Sequence, residues 1–84
     1  MQTTIELLTE IFSSLLKKPG IKLEMTDSPN TVAGWDSLTY PEIVSKIEEK
    51  LDIEFDFREL AGIKNIADLV YLTDSKLSKT ANED

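Results

Sequence analysis

Hydrophobic residues recur at helical spacing in three stretches of the chain. In the first, Ile5, Leu8, Phe12 and Leu15 lie about one helical turn apart, and Leu7, Ile11 and Leu16 widen the stripe. This spacing predicts an amphipathic helix over residues 4–16. Thr3 and Glu6 have the spacing of a capping box at its start, and Pro19 should end it because proline removes a backbone donor.

The segment that follows, residues 21–35, lacks this spacing and is rich in turn-forming residues. It predicts a long irregular connection after the first helix. Its isolated apolar side chains are expected to pin the loop to the core; they are Ile21, Leu23, Met25 and Val32. Such a long loop argues against a simple hairpin of two adjacent helices.

Three further helices follow the loop. Ile43, Ile47 and Leu51, spaced by four, predict a second helix over residues 39–51. Apolar and acidic residues alternate over residues 53–57, a pattern that resembles a short strand, but the sequence offers no partner strand. We therefore expect an extended link into a short third helix near residues 57–61. Asn65 can cap a fourth helix that ends near residue 77.

The predicted fold is therefore all-α, a four-helix bundle with a long loop between helices one and two and a short third helix. The folded domain is expected to span residues 1–78, and residues 79–84 should form a disordered tail.

Composition narrows the possible functions. The 84 residues include 16 acidic and 9 basic side chains, a formal charge of −7, and no histidine or cysteine. The charge disfavours nucleic acid as a partner, and the missing residue types exclude disulfides, thiolate metal sites and the commonest general base. No apolar run is long enough to span a bilayer and no signal-peptide pattern is present, so we expect a soluble cytoplasmic monomer without a metal site.

One segment combines a motif with an acidic helix. GWDSLTYPEIVSKIEEKLDIEF places Asp-Ser-Leu between the long loop and the second helix. The triplet, the helix pattern, the acidity and the IEEKLDIEF ending resemble acyl carrier proteins, from helix one to about Leu72. The resemblance implies an acyl-carrier-like bundle in which Ser37, flanked by Asp36 and Leu38, bears a covalent 4′-phosphopantetheine arm derived from coenzyme A. A bare Asp-Ser-Leu is otherwise an ordinary helix start.

The resemblance also implies a carrier and not an enzyme. Its partners would be a phosphopantetheinyl transferase, which supplies the base and metal, and acyl-loading and chain-modifying enzymes with basic docking patches. Residues 36–60 contain eight acidic and three basic side chains, a net charge of −5. This acidity suggests a docking face. By resemblance Glu42, Glu48 and Glu49 contact partners, with Val44 as an exposed apolar contact. A solvated helix face is the alternative for the acids, and ordinary core packing is the alternative for Val44.

Several local expectations concern the motif itself. Pro41 fits only the first helical positions, so helix two should start at Thr39 or Tyr40, with Thr39 and Glu42 as a capping box. Asp36 either caps the turn or positions the transferase, and Leu38 is expected to anchor the turn in the core. Trp35 should pack against Tyr40.

Three functions remain open at this stage. The first is a carrier of acyl groups for fatty-acid, lipid or polyketide pathways. The second is an aminoacyl or peptidyl carrier, including D-alanyl carriers, which shares the arm and the fold. The third is an unmodified acidic adaptor that binds proteins by charge. Ile43, Ile47, Phe55, Ile63 and Leu69 could line an acyl groove between helices, although core packing explains them equally well.

Overall fold

Residues 2–82 form four helices packed in one bundle. The computed structural model describes the backbone of residues 2–82 and the side chains of residues 2–78. The helices are α1 (Thr4–Leu16), α2 (Tyr40–Leu51), α3 (Phe57–Ala61) and α4 (Ile66–Asn82). Residues 2–82 contain no strand, so the all-α prediction is confirmed. Within this range no helix has the length and apolar character that crossing a membrane requires.

Helix α1 begins and ends as its sequence predicts. The Thr3 hydroxyl accepts a hydrogen bond from the Glu6 amide, and the Glu6 carboxylate accepts one from the Thr3 amide, which completes the capping box. Lys17 follows the helix in a left-handed conformation with φ 56°, and its amide donates to the Ser13 carbonyl. The chain thus leaves the helix two residues before Pro19.

The core lies where α1 packs against α2 and α4. Its fully or almost fully buried apolar side chains are Leu8, Ile11, Phe12, Ile43, Ile47, Ile66 and Leu69. The spacing of three or four between these residues places them on one face of each helix. Ile43, Ile47 and Leu69, which could have lined an acyl groove, are all 0% exposed and belong to this core.

The long loop is fastened to both the core and α4. Leu23 and Val32 are buried as predicted, whereas Met25 is 43% exposed. The Met25 backbone fastens the loop instead, since its carbonyl accepts the Ala67 amide at 2.9 Å. The Asp27 carbonyl accepts the Ile66 amide at 2.8 Å, so the loop satisfies the first two amides of α4.

Helices α3 and α4 have side-chain caps that set their starts. Asp56 and Glu59 form a capping box around α3, and Asn65 accepts the Asp68 amide at 2.9 Å. Helix α4 continues to Asn82, beyond the predicted end near residue 77. Residues 79–82 of the expected tail are therefore helical, and residues 83 and 84 lie outside the described part of the chain, so the domain bounds stay a prediction.

One buried hydroxyl supports a stability prediction. Thr73 is 0% exposed, and its Oγ1 has no hydrogen-bond partner among the described residues. Valine has nearly the same shape without the unpaired polar atom. We expect Thr73→Val to raise the free energy of unfolding by about 1 kcal/mol in urea denaturation. A destabilised variant would show that the hydroxyl has a partner in solution, and Thr73→Ala, which leaves a cavity, serves as the destabilising control.

Candidate functional site

Ser37 lies in the turn that joins the long loop to α2. Residues 37–39 form this turn, and α2 begins at Tyr40 with Pro41 in its second position. The predicted later start of the helix is confirmed. The Ser37 side chain is exposed, and its hydroxyl makes no hydrogen bond within the described part of the chain. The serine is thus free to react and is displayed just ahead of an acidic helix.

The side chains on either side of Ser37 fix the turn. The Asp36 carboxylate accepts the amides of Leu38 and Thr39 at 2.9 and 3.0 Å. The Asp36 amide in turn donates to the Thr39 hydroxyl at 3.0 Å, and that hydroxyl donates to the Gly34 carbonyl. Of the two roles considered for Asp36, the structure therefore shows the cap.

The predicted capping box between Thr39 and Glu42 is wrong. Thr39 occupies the N-cap position of α2, but its side chain makes no capping hydrogen bond. Its backbone is helical (φ −89°, ψ −23°), not extended as a side-chain cap requires. The hydroxyl is turned back toward Asp36 and Gly34 instead, so it stabilises the turn and not the helix end.

The Asp36 carboxylate provides a pH-dependent test of this turn. Hydrogen bonds from the Thr39 and Leu38 amides lower its pKa below the ordinary aspartate value. A lowered folded-state pKa gives stabilisation that is complete above the unfolded-state value and is lost as the pH falls through the folded-state value. We expect the Thr39 amide resonance to report a lower midpoint in the folded protein than in a peptide of residues 33–40. Equal midpoints would contradict these hydrogen bonds.

An aromatic row connects the turn to the core. Trp35 is 3% exposed, and its ring meets Phe12 edge-to-face at 5.2 Å and Tyr40 in a tilted contact at 6.4 Å. The predicted contact of Trp35 with Tyr40 is confirmed. Gly34, just before Trp35, has φ +96°, and an added Cβ would lie 3.3 Å from Leu16. Glycine here lets the loop pass over α1 and deliver Trp35 to the core.

Tyr40 also joins α2 to α3. Its hydroxyl donates to the Leu60 carbonyl at 3.2 Å. Burial raises the pKa of Tyr40 to about 12, so the hydroxyl keeps its proton well above neutral pH. The turn, α2 and α3 are therefore connected through one side chain, only three residues from Ser37.

Two apolar residues near Ser37 differ from their predicted exposure. Leu38, expected to anchor the turn in the core, is 82% exposed, whereas Val44, expected to be exposed, is only 7% exposed. The cap explains the first difference, because the Leu38 amide binds Asp36 and Trp35 fills the core position beneath the turn. The second arises because Val44 faces the space between α2 and α3.

The three acidic residues expected to contact partners have different surroundings. Glu42 is exposed, and no described residue pairs with its carboxylate. Glu49 is exposed and lies 3.2 Å from the Lys46 ammonium, a surface pair that is easily broken. The Glu48 carboxylate accepts the Phe55 amide at 2.8 Å, so it helps to position the link before α3.

An apolar groove between α2 and α3 was not foreseen. It has a volume of about 460 Å³ and is lined chiefly by Tyr40, Pro41, Val44, Phe57, Leu60 and Ala61. Phe57 borders it while remaining 84% exposed. The Asp56–Glu59 capping signal could have placed Phe57 at the first position of α3, but only the packing of α3 beside α2 creates the groove.

Comparison with known proteins connects this geometry to a family. The family model described as "Phosphopantetheine attachment site" matches residues 6–72. The solved structure of a holo acyl carrier protein from Geobacter metallireducens has a TM-score of 0.88 and 32% identity, over 96% of this chain and 93% of that one. Among curated proteins, no significant match was found.

These matches agree with the exposed serine and with the four-helix architecture. The matched family region contains the whole turn and α2, and the solved relative shares the complete bundle. The cofactor is accordingly covalently bound 4′-phosphopantetheine, and the protein acts as a carrier and not as an enzyme. The chain belongs to the acyl carrier protein family.

Proposed function

We propose that Ser37 is the attachment site of the 4′-phosphopantetheine arm and that the cargo is an acyl group of a fatty-acid, lipid or polyketide pathway. The observation that carries the assignment is the exposed, unbonded Ser37 hydroxyl in a turn whose other polar side chains, Asp36 and Thr39, are hydrogen-bonded. Asp36 shapes the turn, and Leu38 presents an exposed apolar side chain beside the serine.

The chemistry at Ser37 is an acceptor reaction. The hydroxyl oxygen attacks the pyrophosphate of coenzyme A at the phosphorus next to pantetheine, forms a phosphodiester and releases the adenosine bisphosphate half. The transferase supplies the base that removes the hydroxyl proton, since this chain has no histidine or cysteine. Once attached, the arm supplies the thiol that holds acyl groups as thioesters.

The proposed docking surface for basic partner enzymes is the acidic face of α2. Glu42 and Glu49 are exposed on it, and Glu48 lies beside them with one oxygen bound to the Phe55 amide. Exposed charge pairs contribute only about 0–1 kcal/mol each and are screened by salt, which suits a carrier that must leave each enzyme. Val44 contributes from the groove wall and not as an exposed contact.

The absence of cysteine offers a direct test. The purified chain is incubated with coenzyme A and a broad-specificity phosphopantetheinyl transferase, and thiols are titrated alongside intact mass. We expect one thiol per chain and one phosphopantetheine mass gain, compared with no thiol before the reaction. No gain with several transferases would favour the unmodified adaptor. Loading of the arm by fatty acyl or aminoacyl ligases would then separate the two classes of cargo.

A further inference from the structure

Three lysines stand just after α1 in a chain that is otherwise strongly acidic. Lys17 and Lys18 follow the helix directly, and Lys22 comes four residues later. The side chains of Lys17 and Lys22 are exposed, that of Lys18 is half-buried, and none of the three forms an ion pair with a described residue. The acidic docking face of α2 makes no use of this positive charge.

Two of these lysines border a small pocket in the long loop. Lys18 and Lys22 line it, and Ile21 and Val32 contribute apolar side chains. The pocket also contains the Asp27 carboxylate, but its two oxygens already accept hydrogen bonds from a backbone amide and a hydroxyl of the loop, at 2.8 Å each. Two lysines against one hydrogen-bonded carboxylate leave the pocket with a net positive charge beside an apolar wall.

The pocket lies at the same end of the bundle as Ser37. Leu16, the last residue of α1, packs against Gly34, where an added Cβ would lie 3.3 Å from the leucine side chain. Ala33 lines the pocket and precedes Ser37 by four residues. Because an extended chain advances at most about 3.6 Å per residue, their Cα atoms are no more than about 14 Å apart. A nucleotide joined to the pyrophosphate at Ser37 can therefore reach the pocket.

Arm attachment brings a polyanion to this end of the chain. One phosphorus–oxygen bond of the coenzyme A pyrophosphate breaks as the Ser37 oxygen bonds to the phosphorus that carries pantetheine. The transferase base accepts the hydroxyl proton, and adenosine 3′,5′-bisphosphate leaves with the electrons of the broken bond. Asp36 and Glu42, the nearest acids in the sequence, are exposed and repel these phosphates. Positive charge beside the turn offsets that repulsion.

We propose that this pocket is a subsite for the adenosine 3′,5′-bisphosphate half of coenzyme A while the transferase attaches the arm. The inference rests on the proposed attachment at Ser37. Lys18 and Lys22 bind phosphate oxygens, and Ile21 and Val32 pack against the adenine, an arrangement of few charges beside an apolar wall that is typical of small-molecule sites. The volume of about 270 Å³ lies just below the range of about 300–1,000 Å³ typical of whole ligands, so it suits one half of the cofactor.

The first test is an NMR titration of the unmodified chain with adenosine 3′,5′-bisphosphate. We expect saturable shifts of amides around the pocket, including those of Lys22 and Ala33. The double variant Lys18→Gln/Lys22→Gln should lose these shifts. The matched control Lys50→Gln/Lys64→Gln changes the charge equally at two exposed positions outside the pocket, and should keep them. Sodium sulfate at equal ionic strength should cause no saturable shift.

The kinetics of arm attachment test the same contact during the reaction. With the carrier saturating, Lys18→Gln/Lys22→Gln should raise the KM for coenzyme A about fivefold with little change in kcat, a size expected for two solvent-accessible charge contacts. The KM for the carrier should not rise, because the acidic face of α2 is unchanged. With dephospho-coenzyme A, which lacks the 3′-phosphate, the ratio between variant and wild type should shrink. Circular dichroism checks that both double variants fold.

Other results would overturn the inference in distinguishable ways. If wild type gains no arm, the proposed function fails and the inference with it. If wild type is modified and Lys18→Gln/Lys22→Gln has an unchanged KM for coenzyme A, only the inference fails. Equal shifts with sulfate would show a general attraction of anions and no subsite. Binding to phosphatidylglycerol vesicles without binding of the bisphosphate would assign the lysines to a lipid headgroup instead.

Discussion

The Ser37→Ala variant is expected to gain no phosphopantetheine and no thiol under conditions that modify wild type completely. The substitution removes the one hydroxyl of the turn that makes no hydrogen bond, since the other, that of Thr39, is bound to Asp36 and Gly34. Because the Ser37 side chain is exposed and unbonded, its loss should change the free energy of unfolding by no more than about 0.5 kcal/mol. Intact mass and thiol titration measure how much phosphopantetheine is attached, and urea denaturation measures the free energy of unfolding.

Ser28 provides the matched control for this experiment. It also follows an aspartate, but its hydroxyl accepts the Asn30 amide at 3.1 Å in the long loop, and Pro29 comes next. Ser28→Ala should therefore accept one arm as wild type does. A phosphopantetheine mass gain on Ser37→Ala would refute the attachment site, whereas loss of modification in both variants would point to a damaged loop.

The Trp35→Ala variant is expected to lose about 3–5 kcal/mol of folding free energy. Trp35 is 3% exposed and contacts Phe12 in α1 and Tyr40 at the start of α2, so its removal leaves a cavity where the loop, α1 and α2 meet. A chain of 84 residues has a total stability of roughly 4–13 kcal/mol, and the variant should lose a large share of it. The melting temperature should fall by about 12 °C or more.

Far-UV circular dichroism is the suitable measurement, because Trp35 is the sole tryptophan and its fluorescence disappears with the substitution. Tyr71→Ala removes an aromatic side chain that is 73% exposed, and should stay within about 0.5 kcal/mol of wild type. Trp35→Phe keeps a ring in contact with Phe12 and should be less destabilised than Trp35→Ala. A Trp35→Ala loss below about 1 kcal/mol would show that Trp35 does not support the turn.

Local patterns along the chain were sufficient to predict the helices. The spacing of apolar residues in α1, the turn chemistry of the loop and the Asn65 cap depend on neighbours a few residues away, so each was readable without the fold. Pro41 is the clearest case. A helix tolerates proline only in its first turn. This rule alone predicted that α2 begins at Thr39 or Tyr40 and leaves Ser37 in the turn.

Exposure around the site depended on how the turn and α3 pack against α2. Leu38 is exposed because Trp35 fills the core position beneath the turn, and Val44 is buried because α3 packs beside its face of α2. Glu48 similarly acquired a structural role when the link folded back and brought the Phe55 amide to its carboxylate.

The sequence by itself determined the helical class, the order of the elements and the acidic character, since short-range spacing and composition encode all three, and its resemblance to acyl carrier proteins pointed to Ser37 as the serine for the arm. Only the tertiary structure decided that Tyr40 bonds to Leu60, that Phe57 stays exposed and that a groove opens beside Ser37. These features come from the placement of α3 against α2. That placement is the sum of weak contacts between residues distant in the chain, and periodicity carries no information about it.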